Sequence, residues 1–229
     1  MQRQYNVYNQ TGQLDSLQHR VLRNTYWLLG LSMIPTAVGA MVGLNLSFAF
    51  MAASPMLTSL LFLGAIYGLF YAIEANRYSS TGVYLLLLLT FVMGVMLGPL
   101  LQFTLAFRNG AQLVSLAAGG TAAVFFSLSA MASTTKRNFT GLAQFLSVGA
   151  VVLMVAVIAN IFLQLPLLQL VLCSAFMLFS SLMILFNISA IVHGGETNYI
   201  SATLSLYVNI YNVFVSLLQL LGVFGGDRR

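Results

Sequence analysis

The sequence predicts an all-α integral membrane protein that crosses the bilayer seven times, and three observations carry the prediction. Of its 229 residues, 59% are hydrophobic and 6% charged, where an ordinary soluble domain carries about a quarter charged residues. Seven apolar stretches each approach or exceed the ~20 residues a helix needs to cross the hydrocarbon. The connections between them are too short for a soluble domain and carry helix breakers at Ser54-Pro55, Ser79-Ser80, Asn109-Gly110, Asn138, Leu165-Pro166 and Gly194-Gly195.

Residues 1–24 come first, polar and rich in Gln and Asn. They lack the short apolar segment of a cleavable signal peptide, so they read as a cytoplasmic tail and the first span as a retained anchor. The spans follow at 27–48, 55–73, 81–106, 112–133, 139–163, 165–192 and 199–224, giving a membrane domain over 25–225 and a short tail at 226–229. Each of the first three contains a GxxxG: Gly39 with Gly43, Gly64 with Gly68, Gly94 with Gly98. Small residues four apart let another helix backbone approach closely. Packing within the bundle is the expected use; a helix-dimer interface, which would make the protein a homo-oligomer, is the alternative.

Lys and Arg in short loops set orientation. A cytoplasmic amino terminus places Arg3, Arg20, Arg23, Arg77, Lys136 and Arg137 inside and leaves Arg108, Arg228 and Arg229 outside. The excess favours amino end in and carboxyl end out, although the terminal Arg pair pulls the other way, and a seventh segment that re-enters instead of spanning is the structural alternative.

The seventh span is distinct. Its polar residues Asn198, Ser201, Ser205, Asn209, Asn212, Ser216 and Gln219 are spaced by three and four, which puts them on one helix face. An unpaired amide in hydrocarbon costs several kcal/mol, so this face must meet other helices or a wet cavity and the seventh span must sit near the bundle's centre. The stripe has two readings of equal weight, hydrogen bonding between helices and a permeation path. Asn187 in the sixth span and Asn160 in the fifth are candidate partners for Asn209. Ahead of the stripe runs His193-Gly194-Gly195-Glu196-Thr197-Asn198. The glycines can end one helix while Thr197 or Asn198 caps the next, and the titratable His193 and Glu196 at the mouth of the stripe would also suit a gate or docking point.

Several functions are excluded. The net charge of +5 is thinly spread, without the basic cluster that nucleic acid requires. Asp15, Glu74, Glu196 and Asp227 lie in tails or at span ends, so no intramembrane carboxylate pair exists for aspartyl proteolysis. There is no HExxH, GxSxG, P-loop or Cys/His cluster, and Cys173 stands alone in an apolar run. No enzyme, cofactor or metal site is expected.

Particular strings do carry a likeness: His19-Arg-Val-Leu-Arg-Asn-Thr-Tyr26, Leu97-Gly-Pro-Leu100, Gly119-Gly-Thr-Ala122, Ala159-Asn-Ile-Phe-Leu-Gln-Leu-Pro166 and His193-Gly-Gly-Glu-Thr-Asn-Tyr-Ile200. In order and spacing, from about residue 17 to 222, they resemble the Bax inhibitor family, specifically its bacterial YccA-type branch, the modulators of the FtsH protease. The resemblance implies two three-helix groups around a central seventh helix and a place in the bacterial inner membrane. Another branch of that family comprises proton-sensitive calcium leaks gated by an aspartate pair, whose positions fall here on Asn187 and Asn209. Neutral amides do not titrate between pH 5 and 8, and calcium is held chiefly by carboxylate oxygens. The arginine that latches the pair in those leaks is also absent from residues 55–73. The resemblance therefore implies a modulator that binds a membrane-embedded, ATP-dependent protease of FtsH type, with an unstructured tail as a handle and a bonded core that makes it a slow substrate. A passive cation leak with a dismantled acidic gate is the alternative.

Overall fold

The computed structural model describes residues 2–48, 55–135 and 139–226. Ser54, the Lys136-Arg137 pair, Asn138, Asp227, Arg228 and Arg229 lie outside the described residues. Among the described residues the helices are α1 (Gln2–Asn45), α2 (Pro55–Ala75), α3 (Ser80–Met96), α4 (Gly98–Leu105), α5 (Gly110–Thr134), α6 (Ala143–Leu163), α7 (Pro166–Val192) and α8 (Tyr199–Gly225), with a 3₁₀ turn at Phe139–Leu142. Six helical stretches are long and apolar enough to cross a membrane, α3 and α4 counting as one, and α2 supplies a shorter apolar segment from Leu60 to Ala75. This is a seven-helix membrane protein.

Two boundaries differ from expectation. Helix α1 starts at Gln2, so the stretch expected to be unstructured continues the first span as helix; it contains one glycine, Gly12, and no proline to stop it. The third span is broken at Leu97 into α3 and α4. Pro99 has no N–H to bond back into the preceding turn, so a new helix starts there with proline in its first turn.

Glycines decide the tightest contact. A Cβ at Gly39 or Gly43 of α1 would overlap backbone of Phe91 and Val95, and one at Gly94 or Gly98 would overlap backbone of Thr36 and Gly43. The first and third GxxxG motifs thus interlock, backbone against backbone, as bundle contacts. The second does not: a Cβ at Gly64 or Gly68 would meet nothing within 4 Å. That strip faces away from the bundle.

Helices α1, α2, α3 and α4 form one group and α5, α6 and α7 another, and α8 packs against members of both. Along α8, residues Ile200 to Leu204 are buried without a break, followed by Leu206, Tyr207, Asn209, Val213, Ser216 and Leu218. Protein therefore surrounds α8 on nearly all sides at its amino-terminal half. On α6, by contrast, Leu146 is the one buried residue, and side chains such as Val151, Ile158 and Phe162 are exposed where lipid would lie.

Helix ends are closed by named groups. Gln102 Nε2 donates to the carbonyls of Gly43, Leu44 and Leu46 at 3.1, 3.0 and 3.0 Å, covering the carboxyl end of α1. Asn109 Nδ2 donates to Gly225 O at 2.6 Å and ties the α4–α5 connection to the end of α8. Gln164, in the left-handed region at φ 49°, ends α6 immediately before Pro166 starts α7. Gly194, at φ 76°, and Gly195 bond back to Ile191 and Ala190 to end α7.

Candidate functional site: the polar face of the last helix

The stripe on α8 divides by depth into three parts. At its start, Asn198 caps the helix, its Oδ1 accepting from the amides of Ile200 at 2.9 Å and Ser201 at 3.2 Å. Asn198 Nδ2 also donates to Arg77 O at 2.8 Å, fastening α8 to the end of α2. One turn on, Ser201 Oγ donates to Glu74 Oε2 at 3.0 Å, and the same carboxylate oxygen lies 3.4 Å from Arg77 Nη1. Sequence reasoning leaves Glu74 at a span end with no role. Here its carboxylate meets the stripe.

The turn ahead of the stripe is internally bonded. Glu196 Oε1 accepts from Asn198 N at 2.7 Å. His193 Nδ1 lies 2.9 Å from Ser189 O and 3.3 Å from Ser189 Oγ, and that hydroxyl accepts from Phe139 N at 3.0 Å. Both titratable groups are half-buried and engaged with the backbone or hydroxyls of α7 and the turn.

The middle of the stripe holds Asn209, and Asn187 lies on the neighbouring α7. Asn209 is buried and turns its Nδ2 back onto Ser205 O, 2.7 Å away on its own helix. Asn187 Nδ2 is buried with no hydrogen-bond partner. Neither Asn187 nor Asn160 partners Asn209. Ser205 departs from the expectation that the whole face is covered: it is exposed, one turn beyond the Glu74–Ser201 bond at which α2 meets α8.

The far end borders a cavity. Asn212, Ser216 and Gln219 line a cavity of about 650 Å³ between α6, α7 and α8, together with Asn160, Gln169 and Cys173. Asn160 Nδ2 donates to Gln169 Oε1 at 2.9 Å, and Cys173 Sγ donates to Gln219 Oε1 at 2.8 Å. Asn160 is therefore part of an amide cluster, and Cys173, which stands alone in sequence, has a partner. The cluster is neutral and rich in carbonyl oxygens, able to hold water or to solvate a small polar guest. Among the described residues no three His, Cys, Asp or Glu side chains converge where they could hold a metal ion.

The family described as Inhibitor of apoptosis-promoting Bax1 matches residues 18–226 of this chain. A protein of Neisseria meningitidis serogroup A is 46% identical over 226 residues, covering 98% of this chain and 99% of the relative. The Modulator of FtsH protease YccA of Escherichia coli K12 is 44% identical over 209 residues, 91% of this chain and 92% of its own. The corresponding protein of a second E. coli strain, at the same identity, is described as Inner membrane protein YccA.

Proposed function

The chain belongs to the Bax inhibitor family, and from that premise we propose that it modulates an FtsH-type membrane protease by binding it and being processed slowly. The observation that carries the reading is its 44% identity, over nine-tenths of both chains, to a protein described as a modulator of that protease. A multi-pass chain with this kinship belongs in the bacterial inner membrane, with the amino terminus in the cytoplasm and the carboxyl terminus in the periplasm. The chain acts as a regulator rather than an enzyme.

The mechanism draws on the asymmetry between the ends of the chain. The polar residues 2–16 offer a grip at the amino-terminal end, and beyond them α1 is locked against α3 through Gly39, Gly43, Gly94 and Gly98. A protease that engages the first and stalls on the second is occupied and unavailable to other substrates. Affinity capture from detergent extracts is expected to retain the protease, and turnover of its other membrane substrates is expected to rise when this chain is deleted. Failure to co-purify, together with unchanged turnover, would overturn the proposal. Removal of residues 2–16 is expected to lengthen the chain's own half-life while leaving its melting behaviour unchanged.

The cavity beside Gln219 favours a second reading, a passive cation path, because Asn212, Ser216 and Gln219 of the stripe line it. Between that cavity and Ser201 stand neutral Asn209 and Asn187, which offer a cation no carboxylate. Calcium flux from proteoliposomes tests it. Little pH-gated leak is expected, and a robust acid-stimulated leak would put this reading first.

A further inference from the structure

We propose that the groove between α1 and α5 is a binding site for an anionic phospholipid from the leaflet on the amino-terminal side. The two helices part there, leaving a cavity of about 780 Å³ whose back wall is Tyr207, Ile210, Tyr211 and Phe214 of the central α8. That volume is in the range of ligand sites, and the lining is apolar with few polar groups, as such sites are.

Two of those polar groups lack partners. Ser129 is 8% exposed, its Oγ buried without a hydrogen bond, and Tyr26 OH is likewise buried and unbonded. Both line the same cavity, at the end where α1 enters and α5 leaves the bilayer. Thr36 and Tyr207, deeper in the groove, satisfy each other at 2.8 Å, so the want of acceptors is confined to that end. Buried hydroxyls without partners call for a bound acceptor. An ester carbonyl of a phospholipid can accept from either hydroxyl once that oxygen, covered in this structure, turns into the groove.

The depth matches. Trp27 is 76% exposed beside Tyr26, and exposed Trp next to Tyr marks the headgroup level, where ester carbonyls lie. Charge supplies the choice of lipid. Arg23 precedes Tyr26 by three residues, hence on the same face one turn outward, and it is exposed. Among the described residues the one ion pair is Arg77 with Glu74, so Arg23 is free to meet a phosphate. Below the hydroxyls the small Gly30 and Ala37 of α1 and Ala122 of α5 leave room for one acyl chain against α8.

The test is native mass spectrometry of the full-length chain, stripped of lipid and then offered phosphatidylglycerol or phosphatidylcholine in equal amounts. One phosphatidylglycerol per chain should survive at collision energies that release phosphatidylcholine. Tyr26→Phe and Ser129→Ala should each weaken retention about fivefold, the worth of one hydrogen bond, and Arg23→Gln should remove the preference for the anionic lipid. Ala122→Trp should abolish retention by filling the groove, whereas Arg108→Gln at the opposite end should change nothing. Equal retention of both lipids means annular lipid only and overturns the proposal, as does retention that none of Tyr26→Phe, Ser129→Ala and Arg23→Gln affects. Variants are compared at matched melting temperature; if Ala122→Trp fails to fold, the hydroxyl and arginine variants still decide.

Discussion

Two glycines in identically spelled motifs should answer oppositely to the same substitution. In Gly94→Ala the new Cβ falls on the oxygen, carbonyl carbon and Cα of Thr36, all backbone, so no side chain can rotate away and α1 must move from α3. Overpacking costs about 1–3 kcal/mol, and immovable backbone puts this site at the upper end. Displacing Thr36 also loosens its 2.8 Å bond to Tyr207, worth about 0.6 kcal/mol in a membrane. The sum is roughly 3 to 4 kcal/mol. In Gly68→Ala the Cβ enters open space, and alanine's helix preference makes the change neutral or stabilising by up to about 1 kcal/mol. Unfolding in mixed micelles of rising dodecyl sulfate content, followed by far-UV circular dichroism, reads the difference directly. Equal losses at both positions, or a Gly94→Ala protein as stable as wild type, would refute the interlocked contact.

Three further outcomes follow from the site. Asn198→Ala removes the cap of α8 and its bond to Arg77 O, so a loss of about 1–2 kcal/mol is expected, with faster hydrogen exchange at the Ile200 and Ser201 amides as the local readout. Gln102→Ala uncovers three carbonyls at the end of α1 and should cost about 1–3 kcal/mol in the same unfolding assay. Asn187→Asp combined with Asn209→Asp places two carboxylates on α7 and α8, and proteoliposomes carrying the double variant should gain acid-sensitive calcium flux over wild type; no gain would count against a path through these positions.

The spans and the central place of α8 are legible in the sequence because the bilayer imposes a length and a 3.6-residue period imposes a face, both local properties. What lies between helices is not. Gly39-Gly43 and Gly64-Gly68 are spelled alike, yet one pair lies under Phe91 and Val95 backbone and the other under nothing. The amide cluster joins Asn160, Gln169, Cys173 and Gln219 from three helices, so no window of sequence contains it. Glu74 shows the same limit: its position at a helix end is readable, its bond to Ser201, 127 residues away, is not. The break at Leu97 was within reach, since Gly98-Pro99 is written inside the third apolar stretch, but hydrophobic length alone runs through it.

The keyed contact between α1 and α3 also determines how the chain yields to force. A pull along α1 from its amino-terminal end loads four backbone crossings and the three carbonyls held by Gln102 in parallel, as shear, so they must fail together instead of peeling one at a time. A pull from the carboxyl-terminal end instead opens α8 beginning at the Asn109–Gly225 bond. Traction from the first direction should therefore meet its highest resistance at the outset, and traction from the second should not.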